Sequence, residues 1–299
     1  PPMRPPGGLL AAEAVPLPPP PAPPPEPTAL GARTGFVVTS YSRLKKASAA
    51  AGGGELDVTV VTAEDRSRRA AAVDELPGGA GTGQLLHAVL EHADFAAAAA
   101  DGGWAPWLAR PEVRARFEEA ERKYGVEPRW RERAAALAWQ TIVAPVVVRG
   151  ETLGSLADAR QVAREVEFVY PIPDAPLDRS GDDMTAMGAL AGPRGFIKGF
   201  IDAIVAWDDR WWVVDYKSDV LDRDPAAMEQ HVEEHYRVQY ELYAVAVARM
   251  LGLTGEADRR RRFGGLLYWF LRPGHIVHRE VRWEDLERYQ AALAARSYQ

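Results

Sequence analysis

Two consecutive runs of apolar, β-branched and aromatic residues, 196–207 and 210–217, are joined by Asp208-Asp209. Runs of this kind across a two-residue turn read as a β-hairpin. This hairpin constrains the rest of the chain, because strands apolar on both sides need other elements to cover both faces. Into that apolar setting the first strand brings Asp202, and the second brings Asp215 and Lys217. Asp215 and Lys217 are two apart, so they leave the same face of their strand. Residues 202 and 215 are nearly symmetric about the turn, which brings Asp202 beside that pair.

Charge in such a place costs several kcal/mol unless it is compensated. Two adjacent carboxylates repel, and one lysine neutralises only half of them. A divalent cation balances the remainder, and hard oxygen ligands suit Mg²⁺ or Mn²⁺. Such an ion can hold a phosphate oxygen and lower the pKa of a bound water, while Lys217 orients that water or steadies the developing charge. On spacing alone the bland reading stands equally well: a structural salt bridge between Lys217 and one aspartate at a sheet edge.

Around the hairpin the chain changes texture several times. Residues 1–30 are dominated by proline, including 18–21 and 23–25, and read as an extended linker. The first residue is proline, which suggests a segment of a longer polypeptide. From Thr34 a short apolar run leads to Ser40 or Ser42 as a helix N-cap, and 48–82 reads as an exposed insertion. Helical spacing follows over 83–95 and through 110–140, punctuated by Pro111, Pro128 and Pro145. Residues 165–170 alternate like a strand, 235–251 and 284–296 are helical, and 265–271 and 276–281 read as strands paired across Pro273-Gly274. The sum is an α/β sheet core carrying a helical N-terminal portion.

Composition excludes some chemistry. With no cysteine, disulfides, thiolate zinc sites and cysteine-bound iron–sulfur clusters are out of reach, and a reducing cytoplasm fits. The net charge of -6 means that contact with nucleic acid must come from local basic patches or partner subunits. No run of 18 apolar residues marks a membrane span, and the beginning carries no secretory signal.

Several ordered segments together resemble one family. They are Gly195-Phe-Ile-Lys-Gly-Phe-Ile-Asp202, Trp212-Val-Val-Asp-Tyr-Lys-Ser218 and Val238-Gln-Tyr-Glu-Leu-Tyr243, with Thr39-Ser-Tyr-Ser42, Gly83-Gln-Leu-Leu-His87, Arg164-Glu-Val-Glu-Phe168 and Gly264-Gly-Leu-Leu-Tyr-Trp-Phe-Leu271. This pattern resembles the RecB C-terminal nuclease domain, the nuclease of bacterial exonuclease V, within the PD-(D/E)XK superfamily. The resemblance covers the chain from about residue 34 to the end and implies a restriction-endonuclease-like mixed sheet flanked by helices over 31–299. It implies metal ligation by Asp202, Asp215, His87 and the backbone carbonyl of Tyr216, with Lys217 as the catalytic lysine. Gln239 and Tyr243, four apart on one helical face, match the family's Gln-x-x-x-Tyr element beside the active site. Where the superfamily carries Pro-Asp, this chain has Ile201-Asp202, as is usual in the RecB branch.

The implied activity is Mg²⁺-dependent hydrolysis of DNA phosphodiesters, with Mn²⁺ as a possible substitute, Ca²⁺ as an inert one and no iron–sulfur cluster. The implied setting is a bacterial, nucleoid-associated helicase–nuclease of double-strand break repair and recombination. An upstream helicase feeds single strands, and RecC-like and RecD-like subunits are partners. A competing reading is a nuclease fold that has lost catalysis and serves as a scaffold for subunit or DNA contacts.

Other residues carry less. His87 by itself reads as a helix histidine bonded to Glu91 one turn on, and the resemblance reverses that. His92, His231, His235, His275 and His278 read as surface residues. Glu165 and Glu167 could approach a metal from their strand but are left outside the site. Gly78-Gly-Ala-Gly-Thr-Gly83 lacks the Lys-Ser/Thr of a phosphate-binding loop and reads as a flexible lead-in to the His87 helix. The arginine run 259–262 reads as a solvated loop, with phosphate or subunit contact as the alternative. Trp207, Trp211 and Trp212 read as core packing rather than a base-stacking platform.

Overall fold

The strands Gly195–Trp207 and Arg210–Lys217 pair antiparallel with Trp207 opposite Arg210, leaving Asp208 and Asp209 as the turn. Asp208 takes a left-handed backbone there (φ 50°), which a short polar side chain tolerates in a tight hairpin. The computed structural model describes residues 37–40, 76–171, 195–219, 221 and 224–294. All of these belong to one compact unit, Gly35–Gln299. The proline-rich segment 1–30, Ser42 and most of the insertion expected over 48–82 lie outside the described residues.

In chain order the elements are β1 (Val37–Ser40), then helices α1 (Ala80–His92), α2 (Phe95–Ala100), α3 (Trp104–Ala109), α4 (Pro111–Tyr124) and α5 (Arg131–Val143). A small hairpin of β2 (Val146–Val148) and β3 (Glu151–Gly154) leads to β4 (Gln161–Pro171), β5 (Gly195–Trp207) and β6 (Arg210–Lys217). The long α6 (Pro225–Met250), α7 (Glu256–Arg262), β7 (Phe263–Phe270), β8 (His275–Arg279) and α8 (Trp283–Ala294) complete it.

Six strands make one mixed sheet. β4 runs antiparallel along nearly the whole of β5. The other edge of β5 is shared: parallel β1 takes residues 195–198, and antiparallel β6 takes 203–207. Among the described residues neither of them bridges 199–202, which lie between the two pairings. Parallel β7 follows β6, and antiparallel β8 closes the far side.

Both faces are covered, as the apolar hairpin demands. Val213, Leu266, Tyr268 and Phe270 pack with α6 and α8, whereas Val214, Tyr216, Trp212 and Leu267 pack under α1 to α5. The β4–β5 ribbon does not keep one alternation. Val162, Ala203, Val205 and Trp207 face the α1–α5 side, but Val166, Phe168, Tyr170, Ile197 and Ile201 face α6. The odd and even positions exchange sides at Glu165 and Asp202, residues that the register sets opposite one another. Glu165 takes a left-handed backbone at that point (φ 48°), a conformation costing an L residue about 1 kcal/mol. The pairing register of β4 with β5 stays continuous across this point, so both strands turn over together and the ribbon exchanges faces without shifting its pairing.

Several sequence expectations are corrected by the fold. Ser40 is the last residue of β1, and the helix expected after it falls outside the described residues. The glycine-rich lead-in is partly helical, since α1 starts at Ala80. The arginine run lies on α7, not in a loop, with Arg259 buried against Glu256. His231 and His278 are partly buried, not surface residues: His231 packs on Tyr236 and Phe270, and the His278 Nε2–H donates to the Gly264 carbonyl (3.0 Å). α6 also begins ten residues before the apolar pattern at 235. Asp224 caps it by accepting from the Ala226 amide (3.1 Å), Pro225 fits the first turn, and Met228 and Val232 supply its buried face.

Candidate active site

The charged residues meet on β5 between its β1 and β6 pairings. Continuing the β5–β6 register one step past Ala203 and Val214 brings Asp202 opposite Asp215. Asp202 reaches across to β6 and accepts from the Tyr216 amide through Oδ2 (2.8 Å). Its Oδ1 lies 3.4 Å from His87 Nδ1, so α1 meets the hairpin at this carboxylate and His87 turns to it rather than to Glu91. Asp215 is buried, and its Oδ2 lies 2.5 Å from Lys217 Nζ as an ion pair. That oxygen receives no directed hydrogen bond, which leaves a buried carboxylate oxygen only partly satisfied.

Gln239 and Tyr243, one turn apart on α6, organise the pair. Lys217 Nζ donates to Gln239 Oε1 (3.2 Å), and Gln239 Nε2 donates to Asp215 Oδ1 (3.3 Å) and to the Tyr243 hydroxyl (2.9 Å). Tyr243 then donates to the Phe200 carbonyl (2.6 Å), on the stretch of β5 between its β1 and β6 pairings. In this chain of bonds each donor finds an acceptor, which fixes the amide orientation of Gln239. The ammonium of Lys217 also lies 3.9 Å from the Tyr236 ring centre, a close cation–π contact.

The two aspartates are tuned apart. Burial lifts Asp215 to about 6; Lys217 pulls it down and Asp202 pushes it up. Burial acts on Asp202 in the same sense, but His87, Lys217 and the Tyr216 amide outweigh it and hold Asp202 below the ordinary aspartate value. For His87 burial favours the neutral ring, yet Asp202 prevails and raises its pKa. Paired carboxylates driven in opposite directions are a frequent mark of a working site.

An open cleft of roughly 440 Å³ lies on the α1 side of this centre, lined by His87, Glu91, Glu165, Ser218 and Tyr124 among others. Glu165, which sequence alone leaves outside the site, therefore belongs to its wall. Burial and then Asp202 raise the Glu165 carboxyl pKa. Its signal is the motif Arg164-Glu-Val-Glu-Phe168, but regular alternation gives no hint of the exchange of faces that brings Glu165 to the cleft. α1 is fastened at this point. Arg272 donates to the carbonyls of Leu76 (2.6 Å), Pro77 (2.6 Å) and Ser218 (2.9 Å), joining the approach to α1 with the end of β6. A Cβ at Gly83 would collide with Ser218 Oγ, so α1 lies directly on the segment after Lys217.

Among the described residues, no three His, Asp or Glu side chains converge as a ready metal cage. The donor chemistry nonetheless fits a hard divalent cation: two opposed aspartates, a partly satisfied Asp215 oxygen, and His87 and Glu165 on the cleft wall. The arginines of α7 are ion-paired to Glu256 and Asp258 and supply no bare cationic patch. Trp207 and Trp212 are buried, and the Trp207 indole donates to the Ser155 carbonyl (2.7 Å), in keeping with packing rather than stacking on bases.

Comparison with known proteins agrees with this geometry. The PD-(D/E)XK nuclease superfamily matches residues 63–298. The "RecBCD enzyme subunit RecB" of Escherichia coli (strain K12) is 32% identical over 217 residues, covering 66% of this chain and 17% of that protein. Its namesake from Mycolicibacterium smegmatis is 27% identical over 285 residues, covering 78% of this chain and 26% of that protein. One chain of an "ATP-dependent helicase/nuclease" from Listeria welshimeri is 32% identical over 106 residues, 34% of this chain and 8% of that protein. The chain thus spans a fifth or so of the length of the RecB proteins it matches. Because the superfamily match takes in the whole sheet except β1 as well as the convergent Asp202, Asp215 and Lys217, this chain belongs to the PD-(D/E)XK nucleases as a nuclease domain of the RecB type.

Proposed function

We propose that this domain hydrolyses DNA phosphodiesters with Mg²⁺ as its cofactor, inside a RecBCD-type helicase–nuclease of double-strand break repair and recombination. The observation that carries the reading is the meeting of Asp202, Asp215 and Lys217 where β5 passes from its β1 pairing to its β6 pairing. Asp202 and Asp215 would hold the ion, with His87, Glu165 and the Tyr216 carbonyl as supporting donors. When bound, a divalent ion supplies Lewis acidity and a water of lowered pKa.

The remaining work falls to this chain's own groups. Lys217, restrained by Asp215 and Gln239, points its ammonium at the developing charge or at the attacking water. Gln239 keeps that ammonium and the Asp215 carboxylate in fixed relation, and Tyr243 ties both to the β5 backbone. His87 steadies Asp202 in its ionised form.

The relatives' names support the larger setting: a helicase portion beyond this segment and RecC-like and RecD-like subunits in a bacterial cell. No described helix is long and apolar enough to cross a membrane. The test is cleavage of single-stranded DNA in Mg²⁺ and in EDTA, with Asp215→Ala beside the unaltered protein. Cleavage that needs the metal and falls by about a thousandfold or more in the variant is the expected result. A folded protein without metal-dependent cleavage, alone or with its partner subunits, points instead to the scaffold reading.

A further inference from the structure

On the β1 side of Asp202 the β4–β5 ribbon carries exposed side chains on one of its faces. Because the alternation slips at Glu165 and Asp202, the residues facing α6 there are Ile197, Ile201, Phe168 and Tyr170. Their neighbours Lys198 and Phe200 on β5, and Val169 on β4, turn to the opposite side. That is the side of α1 and of the cleft wall formed by His87 and Glu165. Phe200 is 44% exposed and Val169 49%. Among the described residues five large hydrophobic side chains are exposed, and three of them, Val169, Phe196 and Phe200, lie on this ribbon. A grouping of this kind next to a catalytic cleft marks a contact surface rather than chance exposure.

Resting on the nuclease reading above, we propose that Phe200 and Lys198 form a rail that receives a single nucleic-acid strand by base stacking and phosphate contact and delivers it to the aspartates. Three features favour this occupant. Phe200 stands one same-face step, about 6.8 Å along a strand, from Asp202, so a base stacked on it leaves its phosphodiester beside the site. Lys198 is the next same-face residue outward, with Nζ 5.1 Å from the Phe200 ring centre and 3.0 Å from Glu167 Oε2. Both members of that ion pair are well exposed, so a phosphate can compete for the ammonium. Finally, the rail is held rigidly. The Phe168 ring packs where a Cβ at Gly199 would have to stand, and the Phe200 carbonyl accepts from Tyr243, which is tied through Gln239 to Lys217.

The chemistry selects single strands, because a base pairs its polar edge yet stacks by its face, and only an unpaired base can offer that face to a protruding ring. The feature is easily missed in the sequence: Gly195-Phe-Ile-Lys-Gly-Phe-Ile-Asp202 reads as a core strand, and only the slip exposes alternate members.

The experiment uses the whole chain with Phe200→Ala, Phe200→Trp and Lys198→Met, and three readouts. The first is hydrolysis of a thymidine oligonucleotide and of bis(p-nitrophenyl) phosphate, which is too small to reach the ribbon. Phe200→Ala should raise KM for the oligonucleotide by roughly tenfold or more while leaving kcat and small-diester turnover alone, and Phe200→Trp should restore KM. The second is binding of a 2-aminopurine oligonucleotide in Ca²⁺: its fluorescence quenches on the unaltered protein and not on Phe200→Ala. The third is salt dependence, whose slope Lys198→Met should reduce by about one contact. An unchanged KM and quench in Phe200→Ala overturns the rail, as does an equal loss on the small diester or an equal effect on duplex DNA. If the unaltered protein cleaves neither substrate but quenches through Phe200, the rail stands and the nuclease reading fails.

Discussion

The two arms of β5 belong to one strand and are put to opposite use. From Ala203 to Ala206 every residue is buried, paired on both edges and covered on both faces, and the packed Trp207 closes that arm. From Phe196 to Phe200 one face packs on α6 while the other carries the partly exposed Phe196 and Phe200. Asp202 stands at the junction, between the β1 and β6 pairings of the described residues, where the alternation of faces changes. A strand buried all round stabilises, whereas a half-buried one offers side chains, and chemistry is placed where one gives way to the other. The charged groups take their rigidity from the buried arm and face a cleft next to the exposed one.

The largest expected contrast is in stability. Trp207→Ala removes a fully packed indole and its bond to Ser155, and should cost about 3–5 kcal/mol. Phe200→Ala, on the exposed arm, should cost less than about 1 kcal/mol. Urea denaturation of both variants checks this, and equal losses would erase the distinction between the arms.

Much of this is legible in the sequence, and the rest has identifiable physical reasons for hiding. The hairpin register that joins Asp202, Asp215 and Lys217 follows from two apolar runs and a two-residue turn. Gln239, Tyr243 and His87 come only through the resemblance, because nothing in spacing tells a distant helix where to dock. Glu165 is passed over in the sequence, since a regular period of two cannot express a slip that needs a left-handed residue. The first ten residues of α6 are hidden by Glu229, Glu233 and Glu234 on its exposed face, although Met228 and Val232 pack beneath it. Strands as short as Val146–Val148 carry too few residues to show alternation.

The junction should also announce itself through pH. Asp215 titrates near 6 in the fold against 3.8 for an ordinary aspartate, so the fold favours its protonated form. Its contribution is most favourable below the unfolded value and is lost as pH rises toward 6. His87, with a raised pKa, contributes most below 6.5 and loses that contribution as pH climbs through its folded value. Both act in the same sense, so the metal-free protein should melt at falling temperature from about pH 4 to neutrality. Asp202, held low, acts in the opposite sense only on stronger acidification. Thermal melts in EDTA check the slope, which Asp215→Asn should flatten and which Mg²⁺ should counter by keeping the carboxylate ionised.

The smallest effect sharpens the position of the slip. Glycine readily accepts the left-handed backbone that costs Glu165 about 1 kcal/mol, so Glu165→Gly should stabilise the fold by up to that amount. It should at the same time weaken cleavage by removing a carboxylate from the cleft. A destabilised Glu165→Gly in thermal melts would mean that the side chain holds the ribbon together and that the strain is not stored there.

The most direct test of a metal held between Asp202 and Asp215 is binding of Mn²⁺, followed by electron paramagnetic resonance, to the unaltered protein and to Asp202→Asn and Asp215→Asn. Saturable binding in the first and its loss in both variants, with folding retained, is the predicted result. Undiminished Mn²⁺ binding in the two variants would contradict it, because the ion would then be held somewhere other than between these aspartates.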